Sequence, residues 1–445
     1  MLYVKRNFNL HKFWRIVIMS QKKITVAVVG CGSRGNAYAS SIKLMPEKFE
    51  IVACADIIPY KMERFAAEYG VPAEGCYPSA EVLLEQEKLA DVLFICTMDR
   101  QHYGHAIPAL KKGYHLVLEK PASTDPKECM EIARVANEND RHVVVCHVLR
   151  YTPYFRKVKE IVDSGVLGKV YNIMANEGVT YWHQAHSFVR GNWRNSDETC
   201  PMIMQKCCHD MDIFLWITGK HCKAVSSFGA LSHFKRECAP EGSPERCTEE
   251  CPAYATCPYS IERYLHHAKN GCFGWPLDVV SPATNYEDFR RDLLAGPYGR
   301  CAYKCDNNVV DHQVVNVLFE DDLTLTFNMC AFTNEHTGRG LHIMGTMGDL
   351  VSNLEDNKIK LTHFRQGIEE VEYIDYSAET DQFGHGGGDY VLVSDLYDLL
   401  TGNMPNSVTS INDSVESHIM CLAAEKSRVA GGELVRMEDY VKTIL

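Results

Sequence analysis

The chain has 445 residues, enough for two or three domains around large cores. A formal net charge of −12 excludes the basic surface that nucleic-acid phosphates require, and no apolar run reaches the length of a membrane span. The 19 cysteines are many, but Cys54, Cys96, Cys146 and Cys330 stand inside apolar runs, where a small buried thiol is the ordinary expectation. The opening residues lack a continuous apolar core of signal-peptide type, so a reducing cytoplasm without a disulfide framework is expected.

Residues 1–18 read as a loose arm, and Met19 stands where the folded part is expected to start. Ile24 to Val29 is an apolar run that predicts a buried parallel strand. Gly30-Cys31-Gly32-Ser33-Arg34-Gly35 follows and opens a helical segment, 34–44. A second strand, 51–55, ends at Asp56. Strand, glycine turn, helix, strand and terminal acid, in that order, predict a dinucleotide site. Gly30 permits the tight turn, Gly32 lets the backbone approach a pyrophosphate, and Gly35 lets helix and strand pack closely. The helix N-terminus offers N–H groups to phosphate. Asp56 suits a ribose diol and repels a 2′-phosphate, which favours NAD over NADP.

Strand signals at 91–96, 115–118 and 142–146 alternate with helical 60–69, 79–87, 102–112 and 126–138, the pattern of a doubly wound parallel sheet. Residues 19–150 are therefore expected to form one domain. Residues 151–445 differ. Helical 153–164 leads into an extended run, 169–180, and then a helix, 202–217. Strand-like segments at 309–319, 323–332, 340–345, 348–353, 357–364 and 370–375 predict a large, mostly antiparallel open sheet. Helices 388–401 and 412–430 close the chain. The fold class is α/β throughout.

Residues 232–308, rich in Cys, Pro, Tyr and Glu, lack clear periodicity and read as an insertion that needs another source of cohesion. Cys238, Cys247, Cys251 and Cys257 lie within it in a Cys-x8-Cys-x3-Cys-x5-Cys pattern. Four thiols can close a zinc site or hold an iron–sulfur cluster; free thiols are the alternative.

Glu119-Lys120-Pro121 ends the strand 115–118, where ligands bind in doubly wound folds. A lysine ammonium there can polarise a hydroxyl or carbonyl oxygen; a surface lysine beside a turn proline is the plainer alternative. Ser187 to Arg194 contains Asn192, Trp193 and Arg194, a combination suited to stacking on a sugar ring and bonding its hydroxyls. His385-Gly386-Gly387-Gly388-Asp389 is a second polar loop able to close over substrate.

The glycine motif, Asp56, Thr97 with His102, Ala109 to His115, Glu119-Lys120-Pro121 and Arg150-x-x-Pro153 together resemble the Gfo/Idh/MocA oxidoreductase family, which includes glucose–fructose oxidoreductase and inositol dehydrogenase. The resemblance implies a Rossmann domain, a second α/β domain whose sheet often mediates homodimer or homotetramer contacts, and hydride transfer between a carbohydrate or cyclitol carbon and NAD. Implied cofactor contacts are Gly30, Gly32, Ser33, Arg34 and Gly35, with Asp56, Thr97, His102, Glu119 and Lys120. The family's catalytic lysine falls on Lys120 and its histidine on His209, within Gln205-Lys206-Cys207-Cys208-His209-Asp210-Met211-Asp212. The family's upstream aspartate is Gln205 here. Lys206, three residues before His209, is expected on the same helical face and is grouped with the catalytic residues. Asp212 is expected to orient His209 or to serve packing. Arg150, Trp193, Arg194, Asp212 and His385 are the implied substrate contacts.

Three functions stay open at this point. One is a dehydrogenase acting on a sugar, polyol or glycoside. Another is a redox-neutral glycosidase that oxidises, eliminates, hydrates and re-reduces. The last is a non-catalytic regulator that senses sugar or nucleotide.

Overall fold

The computed structural model describes residues 23–365, 368–375, 386–403, 405 and 408–445. The arm expected at 1–18 and the substrate candidate His385 lie outside them.

The first half is a six-stranded parallel sheet of β1 (Ile24–Val29), β2 (Phe49–Ala55), β3 (Cys76–Tyr77), β4 (Val92–Ile95), β5 (His115–Leu118) and β6 (Val143–Val145), in the order β3-β2-β1-β4-β5-β6. Helices cover both faces, so the strands are apolar throughout rather than alternating: Val26, Ala27, Val28 and Val29 are all fully buried. Two of the flanking helices begin where sequence dictates. Pro126 and Pro153 stand at the first helical position, and Asp125 and Thr152 cap the free N–H groups of Lys127 and Phe155. Strand order reverses between β1 and β4, which opens a crevice at the carboxyl ends of these strands.

The second sheet has nine strands: β7 (Val170–Gly178), β8 (Cys222–Ala230), β9 (His312–Phe319), β10 (Thr324–Cys330), β11 (Arg339–Gly345), β12 (Gly348–Asn353), β13 (Lys358–Arg365), β14 (Ile368–Asp375) and β15 (Val435–Arg436). Their order is β14-β13-β12-β11-β7-β10-β9-β8-β15, antiparallel except where β7 meets β10. Alternate residues of β10 (Leu325, Phe327, Met329) are buried against helices, and Thr324, Thr326 and Asn328 face outward. The amphipathic helix Pro153–Asp163 supplies Phe155, Val158 and Ile161 to that core. Sequence reading omitted β8, whose Lys-Ala-Val-Ser-Ser-Phe-Gly stretch carries little apolar signal. Its buried Ser227 is satisfied from outside the strand, with its N–H donating to Ser427 Oγ (2.9 Å).

The C-terminal part of the chain contributes to the core of the first half. The helix Gly388–Leu400 returns from the far end of the chain and packs Leu392, Val393 and Leu396 against Val26, Val28 and Tyr38. The insertion at 232–308, between β8 and β9, contains the helices Glu262–Lys269 and Tyr286–Ala295. It has a small apolar core of its own, including Ile261, Leu265, Phe289 and Leu293. The expectation of little periodic structure is corrected here: both helices are too short to produce a long apolar stripe.

Leu396→Ala removes a buried side chain from the shared core. It should cost about 2–5 kcal/mol, read as a lower denaturant midpoint. An unchanged midpoint would show that this helix does not stabilise the first half.

Candidate active site

The glycine loop is built as the cofactor reading requires. Gly30 has φ +91°, and a Cβ there would meet the Cys96 carbonyl oxygen at 2.4 Å. A Cβ on Gly35 would stand 2.2 Å from the Gly30 oxygen. A Cβ on Gly32 would meet nothing within 4 Å, so no internal contact explains that glycine. Instead it leaves the loop backbone open to an approaching ligand. Gly32 caps the helix Ser33–Lys43 with no side chain on its first N–H groups and no acid in its first turn. An anion is the natural complement of that end. Asp56 accepts from Cys31 N and Ile58 N, both at 2.8 Å, which latches β2 to the loop. These residues fit the pyrophosphate and ribose of a dinucleotide.

The remaining cofactor candidates form a supporting network behind the loop. Arg34 binds Glu119 (2.7 Å) and Asp389 (2.6 Å), and Tyr38 Oη donates to the same Glu119 oxygen (2.7 Å). The network ties the first helix to the end of β5 and to the helix Gly388–Leu400. Burial pushes the Glu119 carboxyl up, but the charges of Arg34 and Lys120 outweigh it and hold it below the usual carboxylate range. The His102 ring nitrogens face the carbonyl oxygens of Pro121 (2.8 Å) and Thr97 (3.1 Å), and Thr97 Oγ1 meets His105 Nδ1 (3.1 Å). His102 thus staples the segment after β4 to the one carrying Lys120.

Lys120 Nζ donates to the backbone carbonyl of Gln205 (2.9 Å). That carbonyl is available because the helix expected over 202–217 is broken. Met202–Gln205 and Cys208–Thr218 are separate, with Lys206 and Cys207 between them. The Gln205 amide is satisfied in one orientation, its nitrogen donating to Asp99 Oδ2 (2.7 Å) and its oxygen accepting from Trp193 Nε1 (2.6 Å). The residue that departs from the family pattern is therefore a connector between both halves.

His209 sits in the first turn of Cys208–Thr218. Its ring lies 5.5 Å from that of His147, and His147 lies 5.6 Å from His418. His418 accepts from Ala122 N (2.9 Å) through Nε2, and its Nδ1 stands 2.7 Å from the Ser414 carbonyl oxygen, which places its proton on Nδ1. Burial drives the His147 and His418 pKa values down, that of His418 to about 3. Sequence reading missed His147, although a histidine at the carboxyl end of a strand, just past Val143–Val145, is a usable signal in this fold.

One expectation is corrected. The helix break removes the shared face of Lys206 and His209. Lys206 instead pairs with Glu177 (3.2 Å), beside Arg339, which binds Glu177 (2.9 Å) and Asp210 (2.8 Å). Burial pushes the Asp210 carboxyl up to about 6. Asp212 is held by Arg150, both its oxygens accepting from that guanidinium at 2.6 and 2.7 Å in a buried pair. Arg194 is bound to Asp306 of the insertion (2.8 and 2.9 Å). Of the substrate candidates within the described residues, Trp193 is the one joined directly to the Gln205–Lys120 link.

A family profile described as an oxidoreductase family with an NAD-binding Rossmann fold matches residues 24–147, and that of its C-terminal alpha/beta domain matches residues 159–418. The chain belongs to the Gfo/Idh/MocA oxidoreductase family. It is similar to YteT of Bacillus subtilis, 24% identical over 437 residues, which cover 93% of this chain and 99% of YteT. An inositol 2-dehydrogenase/D-chiro-inositol 3-dehydrogenase of Lactiplantibacillus plantarum is 28% identical over 202 residues, 45% of this chain and 54% of that enzyme. Among solved structures, the WlbA dehydrogenase of Bordetella pertussis, in complex with NADH and UDP-GlcNAcA, has a TM-score of 0.65 at 16% identity. That match covers 94% of this chain and 99% of WlbA. Among the described residues no helix is long and apolar enough to cross a membrane.

Arg150→Ala strands a buried carboxylate and should destabilise the protein by about 3–5 kcal/mol. The double replacement Arg150→Met, Asp212→Leu should recover most of that loss, as measured by urea unfolding. The buried histidines also set a pH dependence. The unfolded chain takes up protons near pH 6.5, whereas folded His418 does not until about 3. Stability should therefore fall as pH drops through that window, by up to about 1.4 kcal/mol per unit for each such histidine. Urea midpoints at pH 7, 6 and 5 should fall in that order, and less steeply in His418→Gln; a flat wild-type series would contradict the assignment.

Proposed function

We propose that this family member oxidises or reduces a ring carbinol carbon of a sugar, polyol or glycoside, using NAD. The observation that supports this best is the placement of Lys120. It stands at the carboxyl end of β5, one peptide from the buried Glu119 network behind the glycine loop, with its ammonium on the Gln205 carbonyl four residues before His209. NAD, held on the glycine loop and Asp56, supplies the hydride acceptor or donor.

In the oxidative direction Lys120 exchanges the peptide carbonyl for the substrate oxygen and stabilises negative charge developing there. His209 takes the hydroxyl proton as general base. Trp193, its N–H already committed to Gln205, offers an apolar ring to a sugar face. Lys206 contributes through its pair with Glu177, which fixes the segment preceding His209. Arg150 and Asp212 position the helix that bears His209 from its buried side. The inositol dehydrogenase relative and the nucleotide-sugar complex of WlbA support a polyhydroxylated ring as substrate. We place the protein in the cytoplasm. Self-association would use the outer face of the nine-stranded sheet, where Met174, Leu318 and Val351 are exposed.

The test is one cuvette with enzyme, NAD and a panel of free sugars, inositols and aryl glycosides. NADH should accumulate with a free sugar or polyol. Aglycone released without net NADH would replace this reading with the redox-neutral glycosidase. Lys120→Met should lower kcat about 10²- to 10⁴-fold, with NAD affinity followed by fluorescence to separate the chemical role from the cofactor contact. A variant with full turnover would remove Lys120 from the chemistry.

A further inference from the structure

The insertion brings four cysteines to one place that their spacing does not announce. A backbone bridge joins Arg246 to Arg300. Across it, Cys247 N donates to Gly299 O (2.8 Å) and Cys301 N to Glu245 O (3.0 Å). Cys251 and Cys257 sit on the turns that follow Cys247. All four line one cavity of about 20 Å³, more than a single water needs. Cys238, counted with the others from sequence, is exposed, directs its thiol at the Ser232 carbonyl, and is absent from the lining. Cys301 takes its place.

Two guanidinium groups line the same cavity. Arg190 is 3% exposed and donates to the carbonyl oxygens of Arg300 (2.8 Å) and Tyr259 (2.6 Å), with the Tyr264 hydroxyl also beside it. Arg246 donates to the Gly296 carbonyl, and its buried Nε has no hydrogen-bond partner among the described residues. Among the described residues neither forms an ion pair. Elsewhere in the interior, Arg34, Arg150 and Arg339 each have a carboxylate. A buried cation without an anion is costly, and four neutral thiols supply no charge.

We propose that Cys247, Cys251, Cys257 and Cys301 are the thiolate ligands of a metal centre, either Zn²⁺ or a cubane iron–sulfur cluster. Four thiolates around Zn²⁺ carry a net charge of −2, and so do four around a [4Fe–4S]²⁺ core. Either complex balances Arg190 and Arg246. Binding of Zn²⁺, or of a core made from two ferric ions, two ferrous ions and four sulfides, releases the four thiol protons to solvent with no net redox change. As the chain stands, no three His, Cys, Asp or Glu side chains among the described residues are placed for one metal ion. The four thiols line one cavity instead, so binding must draw the sulfurs inward around the metal, to about 2.3 Å for Zn²⁺. Arg190 ends the helical stretch Gln184–Arg190 that leads to Trp193, so the centre buttresses the loop over Gln205.

Protein purified without oxygen should contain about four irons with matching sulfide and absorb near 400 nm, or about one zinc per chain. Either content supports the centre, and the metal identifies its kind. Cys251→Ser and Cys257→Ser should each lose most of the metal, whereas Cys238→Ser and Cys272→Ser should keep it. Wild-type protein that stays metal-free after anaerobic reconstitution with iron and sulfide and, separately, with zinc overturns the proposal. So does equal loss in the Cys238→Ser control, or a disulfide among the four cysteines in freshly purified protein.

Discussion

The carbonyl oxygen of Gln205 lies beneath the site without a helical partner, and the ammonium of Lys120 satisfies it. A buried backbone acceptor must find a donor, so the break at Lys206–Cys207 and the position of Lys120 determine each other. The two residues come from different halves of the molecule. Their bond sets the separation between the end of β5 and the helix bearing His209. The Gln205 side chain extends the same constraint outward, to Asp99 of the first half and Trp193 of the second.

Around this link the interior charges occur in compensated groups that join distant segments. Arg34, Glu119 and Asp389 connect the first helix, β5 and the returning helix Gly388–Leu400. Arg150 and Asp212 connect the end of the first half to the helix of His209. Lys206 and Arg339 balance Glu177 and Asp210 at the top of β7. Buried pairs add little net stability, but losing one partner is severe, so each group fixes geometry rather than simply strengthening the fold. The carbohydrate chemistry proposed for the site depends on that rigidity, because Lys120 and His209 must meet a single oxygen. Against this pattern Arg190 and Arg246, which have no carboxylate partner among the described residues, stand out beside four thiols.

Sequence alone determined the features that depend on neighbours along the chain. Periodicity and glycine chemistry are local, so the parallel strands, the glycine turn, Asp56 and the antiparallel character of the second sheet were legible. The strand-end position of Lys120 was legible for the same reason. Side-chain pairing is not local. Arg150 and Asp212, 62 positions apart, read as substrate contacts until the fold placed them within 2.6 Å of one another. The helix through 202–217 was legible as apolar periodicity, but its break follows from Lys120 and Glu177, which arrive from outside it. Likewise Cys301 joined Cys247 only through a backbone bridge across the insertion. The sequence determined which chemical groups are present and the elements that carry them. The tertiary structure decided which charges neutralise each other and which remain available, because that depends on distances between segments the chain itself does not connect.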